Sequence, residues 1–222
     1  MKKTLYTINT INNFMEIIYD PFGKPFAEAN PEIRVKNIMD DSLLEDTRTY
    51  GGMTPTIASR MLNYAKAAEG SGADGIIVTC TSVNHATKMI RPLLNIPIIN
   101  IEEPVAEMAA MSGKRIGVLG TIPTSPGAIS WEIEEAAARM GKEIEIVPVV
   151  VEGAFDVLCA GDREKHDQMV CQALYQLAKE VDCVVFAQIS MSLLEHEPVE
   201  VPVLKIGASG FEKIKELMEK QA

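Results

Sequence analysis

The sequence predicts an α/β fold of two pseudo-symmetric lobes, each a mostly parallel sheet flanked by helices, with the active site in the cleft between them. Three observations predict it. Short apolar runs rich in Ile and Val alternate with stretches of helical periodicity, the pattern of parallel strands joined by crossover helices. The segment ADGIIVTCTS (Ala73–Ser82) aligns without gaps to VDCVVFAQIS (Val181–Ser190), sharing the Asp, the apolar strand and the final Ser. The sequel repeats too: NIPIINIEEPVAEM (Asn95–Met108) and EVPVLKIGASGFEKI (Glu200–Ile214) both run through a short strand into a helix. Two matched segments in the same order point to duplication.

Strands are expected at Thr4–Asn9, Ile33–Met39, Gly75–Thr79, Ile96–Asn100, Arg115–Gly120, Ile144–Val151, Cys183–Ala187 and Val201–Ile206. Most are too apolar to have a wet face, which predicts covered sheets. Between the second and third, Pro55–Gly70 reads as a helix with Ile57, Met61, Leu62, Ala65 and Ala68 inward. After the fifth, Ser125 as cap and Pro126 at the first position open a helix with Ile129, Ile133, Ala136 and Met140 on one face and Gly141 as terminator. A third helix, Arg163–Lys179, turns Val170, Leu174 and Leu177 inward. A fainter echo between KKTLYTINT (Lys2–Thr10) and KRIGVLGTIPT (Lys114–Thr124) places the lobe boundary near Ser112–Gly113. The lobes are therefore 1–112 and 113–222, with a C-terminal helix at 209–222 able to pack back on the first.

Composition narrows the function. The chain of 222 residues is 47% hydrophobic, yet no apolar stretch reaches the roughly 18 to 20 residues of a membrane span. Thr and Asn interrupt the opening MKKTLYTINTINNF where a signal peptide would be apolar, so a soluble, cytoplasmic protein is expected. With 21 basic against 31 acidic residues the net charge is −10, and no Lys/Arg run forms the stripe that nucleic acid demands. Cys80, Cys159, Cys171 and Cys183 lack the paired spacing of zinc sites. Apart from Cys80 they read as ordinary buried side chains. GVLGTIPTSPG has neither dinucleotide nor Walker spacing, and no two His gather with a carboxylate, so neither cofactor nor metal is expected. His166 and His196 read as solvated, and His85 points away from Cys80 if Val83 onward is helical.

In such lobes the carboxyl ends of the strands carry the ligands, because helix amino termini and their free N–H groups converge there. Cys80 and Gln188 occupy equivalent strand ends. Cys80 is followed by Thr81, Ser82 and a helix start, where N–H groups and the helix dipole favour a thiolate. Asn9, Thr10, Thr81, Ser82, Thr121 and Thr124 offer neutral donors for a small carboxylate, and Asp41 and Ser42 follow the second strand. Helix capping is the alternative role for Ser82, Thr124, Asp41 and Ser42.

The VTCTS segment, the Asp41–Leu44 tetrapeptide, GVLGTIPTSPGAI and the VEGAF…AGDREKHD block resemble the aspartate/glutamate/hydantoin racemase superfamily over nearly the whole chain. The resemblance implies two lobes holding a cysteine each, one thiolate removing a substrate α-proton and the other thiol returning one from the opposite face, without pyridoxal phosphate or metal. It also implies a dimer or larger homo-oligomer. Cys80 matches the first cysteine. Gln188 stands where the second belongs, and an amide has no proton to exchange near neutral pH. Ser190, two residues on, is a weak substitute that would need an activating base. The expectation is a one-thiol racemase or isomerase of a small amino acid or dicarboxylate. A one-thiol lyase or decarboxylase and a non-catalytic carboxylate-binding protein are the alternatives.

Overall fold

Strands form where the β-branched apolar runs predict them. The computed structural model describes residues 2–221, so the outermost ends of the expected lobes, residues 1 and 222, lie outside the described residues. β1 (Lys3–Asn9) is followed by a wide-turn π-helical stretch, Met15–Gly23, and α1 (Lys24–Ala29). Then come β2 (Ile33–Met39), α2 (Ser42–Tyr50), α3 (Pro55–Gly70), β3 (Gly75–Val78), α4 (Asn84–Ile90), β4 (Ile98–Asn100) and α5 (Glu103–Ser112). The second half runs β5 (Arg115–Gly120), α6 (Ser125–Arg139), β6 (Glu145–Val150), α7 (Ala154–Cys159), α8 (Arg163–Leu177), β7 (Cys183–Phe186), β8 (Val203–Leu204) and α9 (Ala208–Lys220).

Two four-stranded sheets result, ordered β2-β1-β3-β4 and β6-β5-β7-β8, with every pairing parallel. The strand order is the same in both, as the internal echo requires. Its shared aspartate has one job in each copy: Asp74 Oδ2 accepts from Thr4 N at 2.7 Å, and Asp182 Oδ2 accepts from Lys114 N at 2.7 Å and Arg115 N at 2.8 Å. The carboxylate thereby satisfies N–H groups at the start of the neighbouring strand. The prolines repeat as well, since Ile76 N donates to Pro97 O and Val184 N to Pro202 O, both at 2.9 Å. A proline has no N–H to give the ladder. β4 and β8 therefore begin after it, later than Ile96 and Val201.

Each sheet has its own core. Ile8, Leu43, Ile57, Met61, Ile76 and Val78 pack together in the first, and Leu119, Val170, Leu174, Val184 and Phe186 in the second. Full burial of one such side chain contributes about 1.5 to 3 kcal/mol. Close helix seating depends on glycine. A Cβ on Gly75 would meet Met218 of α9 at 2.7 Å, and one on Gly117 would meet Leu177 of α8 at 2.8 Å. α9 is further held to the first sheet by Lys3 Nζ donating to Met218 O at 2.7 Å and by the Phe26–Phe211 ring pair at 5.3 Å. By compactness the chain accordingly divides into one unit running to Glu103 and resuming at Gly207, and another running from Pro104 to Ile206. That division falls ahead of the Ser112–Gly113 boundary read from the sequence, because α5 groups with the second unit.

Some expectations are corrected. The edge strands β2 and β6 keep exposed positions, so coverage of the sheets is incomplete there. The cap of α6 is Thr124 rather than Ser125, with no side-chain cap bond. His166 is 1% exposed and its Nδ1 lies 2.7 Å from Asp167 Oδ1, so it is not solvated, whereas Cys159 is exposed rather than buried. Among the described residues, no helix is long and apolar enough to cross a membrane.

Candidate active site

The parallel register lines up one residue from each strand just beyond the carboxyl edge of the first sheet. Ile8 is paired with Ile38 and with Val78, and Val78 with Asn100. Two residues further along every strand the row reads Asp40, Thr10, Cys80, Glu102. Counting in the same way from Leu119, paired with Val149 and Phe186, the second row reads Val151, Thr121, Gln188. The position that corresponds to Glu102, by count past β8, is Gly207.

Cys80 leaves β3 in extended conformation (φ −132°, ψ 116°), half-buried, ahead of a 3-10 turn at Thr81–Val83 that leads into α4. Burial pushes its thiol pKa up, and the charge of Glu102 adds to that rise. Thr10 and Ser82 pull in the opposite direction by favouring the charged form. Burial prevails. The thiolate-favouring turn expected from the sequence is thus outweighed by desolvation, which penalises the charged form. Cys183, within β7, is pushed up to about 11 by burial and by neighbouring Asp182.

Gln188 leaves β7 in nearly the same conformation (φ −139°, ψ 139°) and is 8% exposed. Its Oε1 accepts from Thr121 N at 2.6 Å, Thr121 Oγ1 at 3.0 Å and Ile122 N at 3.3 Å. A backbone N–H only donates, so the amide oxygen is fixed toward β5 and the NH₂ is the group left over for a ligand. Ser190 is half-buried in the following 3-10 turn, Ile189–Leu193.

The other sequence candidates divide. Thr10, Thr81 and Ser82 gather around Cys80, with Thr10 and Thr81 buried. Thr121 is drawn to Gln188, and Thr124 is exposed at the start of α6. Asn9 is buried with its amide already in use. It donates to Thr7 Oγ1 at 2.7 Å and Ile38 O at 3.2 Å, and accepts from Thr79 Oγ1 at 2.8 Å, tying three strands together. Asp41 is exposed and accepts from Asn12 Nδ2 at 2.6 Å. Both line a cavity of about 380 Å³ beside Thr10, together with Glu45 and Arg48 of α2.

Two carboxylates of the first row were missed by sequence reasoning. Asp40, not Asp41, organises the turn after β2: its Oδ1 accepts from Ser42 N at 3.1 Å and Ser42 Oγ at 2.6 Å, and its Oδ2 from Tyr64 Oη at 2.5 Å and from Arg60. Burial alone would raise the Asp40 pKa, but these bonds and the Arg60 charge hold it below the usual range. Glu102 is 0% exposed. In the string Ile-Glu-Glu-Pro it reads as one of two acids at a helix start, a role the structure gives to Glu103, whose Oε1 accepts from Asn100 N at 2.8 Å and pairs with Arg91. Counting register past β4 is the signal that could have found Glu102. Among the described residues, no group of three or more His, Cys, Asp or Glu is placed to hold a metal ion.

Comparison with known proteins agrees with this architecture. The family model for Asp/Glu/Hydantoin racemase matches residues 37–214. The chain is 22% identical over 171 residues to the broad specificity amino-acid racemase RacX of Bacillus subtilis (strain 168), covering 72% of this chain and 75% of that protein. It is 34% identical over 115 residues to a glutamate racemase of Persephonella marina, covering 48% of this chain and 44% of that one, so less than half of that relative's length is spanned. In fold, it resembles the crystal structure of glutamate racemase isoform RacE1 from Bacillus anthracis, with a TM-score of 0.73 at 17% identity over 100% of this chain and 84% of that chain.

Proposed function

The chain belongs to the Asp/Glu/hydantoin racemase family, and from that premise we propose that it is a cofactor-independent racemase or isomerase of a small amino acid or dicarboxylate, acting through Cys80. The observation that carries this reading is the environment of Cys80. Its side chain ends an extended strand, half-buried, where Thr10 and Ser82 favour its charged form. Groups that hydrogen-bond the charged form stabilise it, so a thiolate once formed is held in place.

The thiolate takes the α-proton, and the electron pair left on carbon delocalises into the adjoining carboxylate as an enediolate. Gln188 serves as a fixed neutral donor, its NH₂ bonding a carboxylate or enediolate oxygen while three donors immobilise its own oxygen. The main-chain and side-chain donors of Thr81, Ser82, Thr121 and Thr124 are the candidates for the remaining carboxylate contacts. Asp41, at the cavity beside Thr10, faces the ammonium or second polar group of the substrate. Asn9 supports Thr10 by bracing the strands. A small substrate and a homo-oligomer fit the family.

A second reading rests on Gln188. With an amide in place of the second thiol, proton delivery is confined to one group, which suits a one-thiol lyase or decarboxylase better than a symmetrical racemase. Proton NMR in D₂O separates the two. Wild type and Cys80→Ala are incubated with aspartate, glutamate, hydantoins, maleate and substituted malonates. Loss of the α-proton signal in wild type alone, with inversion, supports the racemase, and loss of carboxylate as CO₂ supports the decarboxylase. No turnover, with Cys80 alkylation unaffected by any of these acids, would sink both and leave a carboxylate-binding protein.

A further inference from the structure

The cavity beside Thr10 carries a charge that the proposed chemistry leaves unused. Asp41, Leu44, Glu45 and Arg48 form much of its wall, and their spacing of i, i+3, i+4 and i+7 places them on one face of α2. Like charges at i and i+4 weaken a helix, so Asp41 and Glu45 together are a cost that the fold does not require. Asp41 stands at the N-cap position without making a side-chain cap bond. Its carboxylate accepts instead from Asn12, another residue of the cavity wall. Two carboxylates against one guanidinium leave one negative charge in excess. A separate observation marks the cavity as a place for a ligand. Thr10 lines it, is 2% exposed, and its Oγ1 has no hydrogen-bond partner among the described residues. A buried hydroxyl left unpaired is unfavourable. Thr10 is also the neighbour of Cys80 in the row, because Ile8 is paired with Val78, and adjacent strands lie about 4.8 Å apart. A substrate carbon held at the sulfur therefore has this cavity one strand away.

We infer that this cavity receives the substrate side chain and selects an amino acid whose side chain ends in a cation, such as lysine or ornithine, over one ending in a second carboxylate. Burial orders the lining. Thr10 is buried, Ile11 and Leu44 are half-buried, and Asp41 and Glu45 are exposed. The sequence hydroxyl, apolar wall, carboxylates matches such a ligand from its α-carbon outward. The Thr10 hydroxyl, which both donates and accepts, bonds a polar group on the α-carbon. The methylene stem lies against Ile11 and Leu44, and the terminal ammonium reaches Asp41 and Glu45. Arg48, exposed on the same helix face, balances one acid by count and leaves the charge of the other for the ligand. A carboxylate in the same place meets two like charges, and juxtaposed like charges reject a partner. Because both acids are exposed, dissolved salt screens the preference.

This selectivity rests on the proposed chemistry at Cys80, and the experiment separates the two. α-Proton exchange in D₂O is measured for lysine, ornithine, norleucine, glutamate and aspartate, with wild type, Glu45→Gln and the double variant Asp41→Asn, Glu45→Gln. Wild type should exchange lysine about tenfold better than glutamate in kcat/KM, with norleucine between them. Glu45→Gln should narrow that gap about threefold, through KM rather than kcat, and the double variant should close it. High salt should narrow it as well. Glutamate or aspartate exchanged as well as lysine by wild type would overturn the inference and leave the function standing. A lysine preference that both variants leave unchanged would overturn it too, since the selectivity would lie elsewhere. If wild type exchanges none of these acids, the proposed function falls, and calorimetric titration with lysine and glutamate decides the cavity alone. Lysine binding weakened about threefold by Glu45→Gln upholds it, and no difference between the two ligands overturns it.

Discussion

Cys80 leaves β3 at φ −132° and ψ 116°, and Gln188 leaves β7 at φ −139° and ψ 139°. Both open a 3-10 turn, and each has a threonine, Thr10 or Thr121, at the matching place past the central strand. The backbones of the two strand ends are nearly interchangeable. Their chemistry is not. In the first unit the row is Asp–Thr–Cys–Glu, with a titratable thiol between flanking carboxylates. In the second it is Val–Thr–Gln, uncharged, and the donors that would stabilise a thiolate are consumed by an amide oxygen. The two halves share the backbone place and differ in the side chain that stands there.

The largest expected effect removes the reactive half of this contrast. Cys80→Ala should lower α-proton exchange about a thousandfold while leaving thermal unfolding nearly unchanged, as NMR in D₂O and calorimetry would read. Exchange surviving that substitution would move the chemistry away from the β3 end. Next, Gln188→Cys gives the second row a thiol. If the two ends differ only in that residue, racemisation relative to exchange should rise about tenfold, measured as optical rotation against deuterium uptake. The same variant removes the acceptor for Thr121 N and Ile122 N, so stability should fall by about 1 to 3 kcal/mol.

A third effect concerns the outer position of each row, Asp40 against Val151. Asp40 is held below its usual 3.8 in the folded chain by Ser42, Tyr64 and Arg60. As pH falls, the unfolded chain takes up that proton first. The Asp40 contribution is therefore fully present above about pH 4 and is lost as pH drops through the folded value. Asp40→Asn should cost about 1 to 3 kcal/mol at neutral pH and flatten the acid limb of a denaturant-midpoint profile. The same limb retained in full would show that another carboxylate governs it.

The smallest difference lies beneath the sheets. Gly117→Ala drives a Cβ into the branched end of Leu177, whereas Gly75→Ala meets the Cγ and Sδ of Met218. An unbranched thioether yields more readily than a leucine. The first substitution should cost about 1 to 3 kcal/mol and the second less, by urea denaturation. A reversal would mean that the seat of α9 is the stiffer of the two.

Much of this molecule was legible in the residue string because periodicity and punctuation are local. β2 and β5 match their expected spans, Pro55 opens and Gly70 closes α3, and Thr54 caps it by accepting from Ile57 N at 3.3 Å. The internal echo carried further: it equated Cys80 with Gln188 and the two aspartates at the strand starts, since duplicated folds keep what the backbone needs. The pattern of apolar runs set the α/β class, and the echo set the two halves. Tertiary structure decided the rest. Whether burial or the turn's N–H groups governs the Cys80 thiol depends on what packs around it, and nothing in the TCTS string encodes that sum. Strand ends attract ligands, which is why Asn9 and Asp41 stood out in the sequence; only the folded chain shows that the Asn9 amide is bonded across β1, β2 and the end of β3 and that register puts Asp40 in the row with Asp41 beside the cavity next to Thr10. Glu102 lies 22 residues from Cys80 in the chain and becomes its neighbour only when β3 and β4 align, a relation set by hydrogen bonding between strands and invisible to any reading along one.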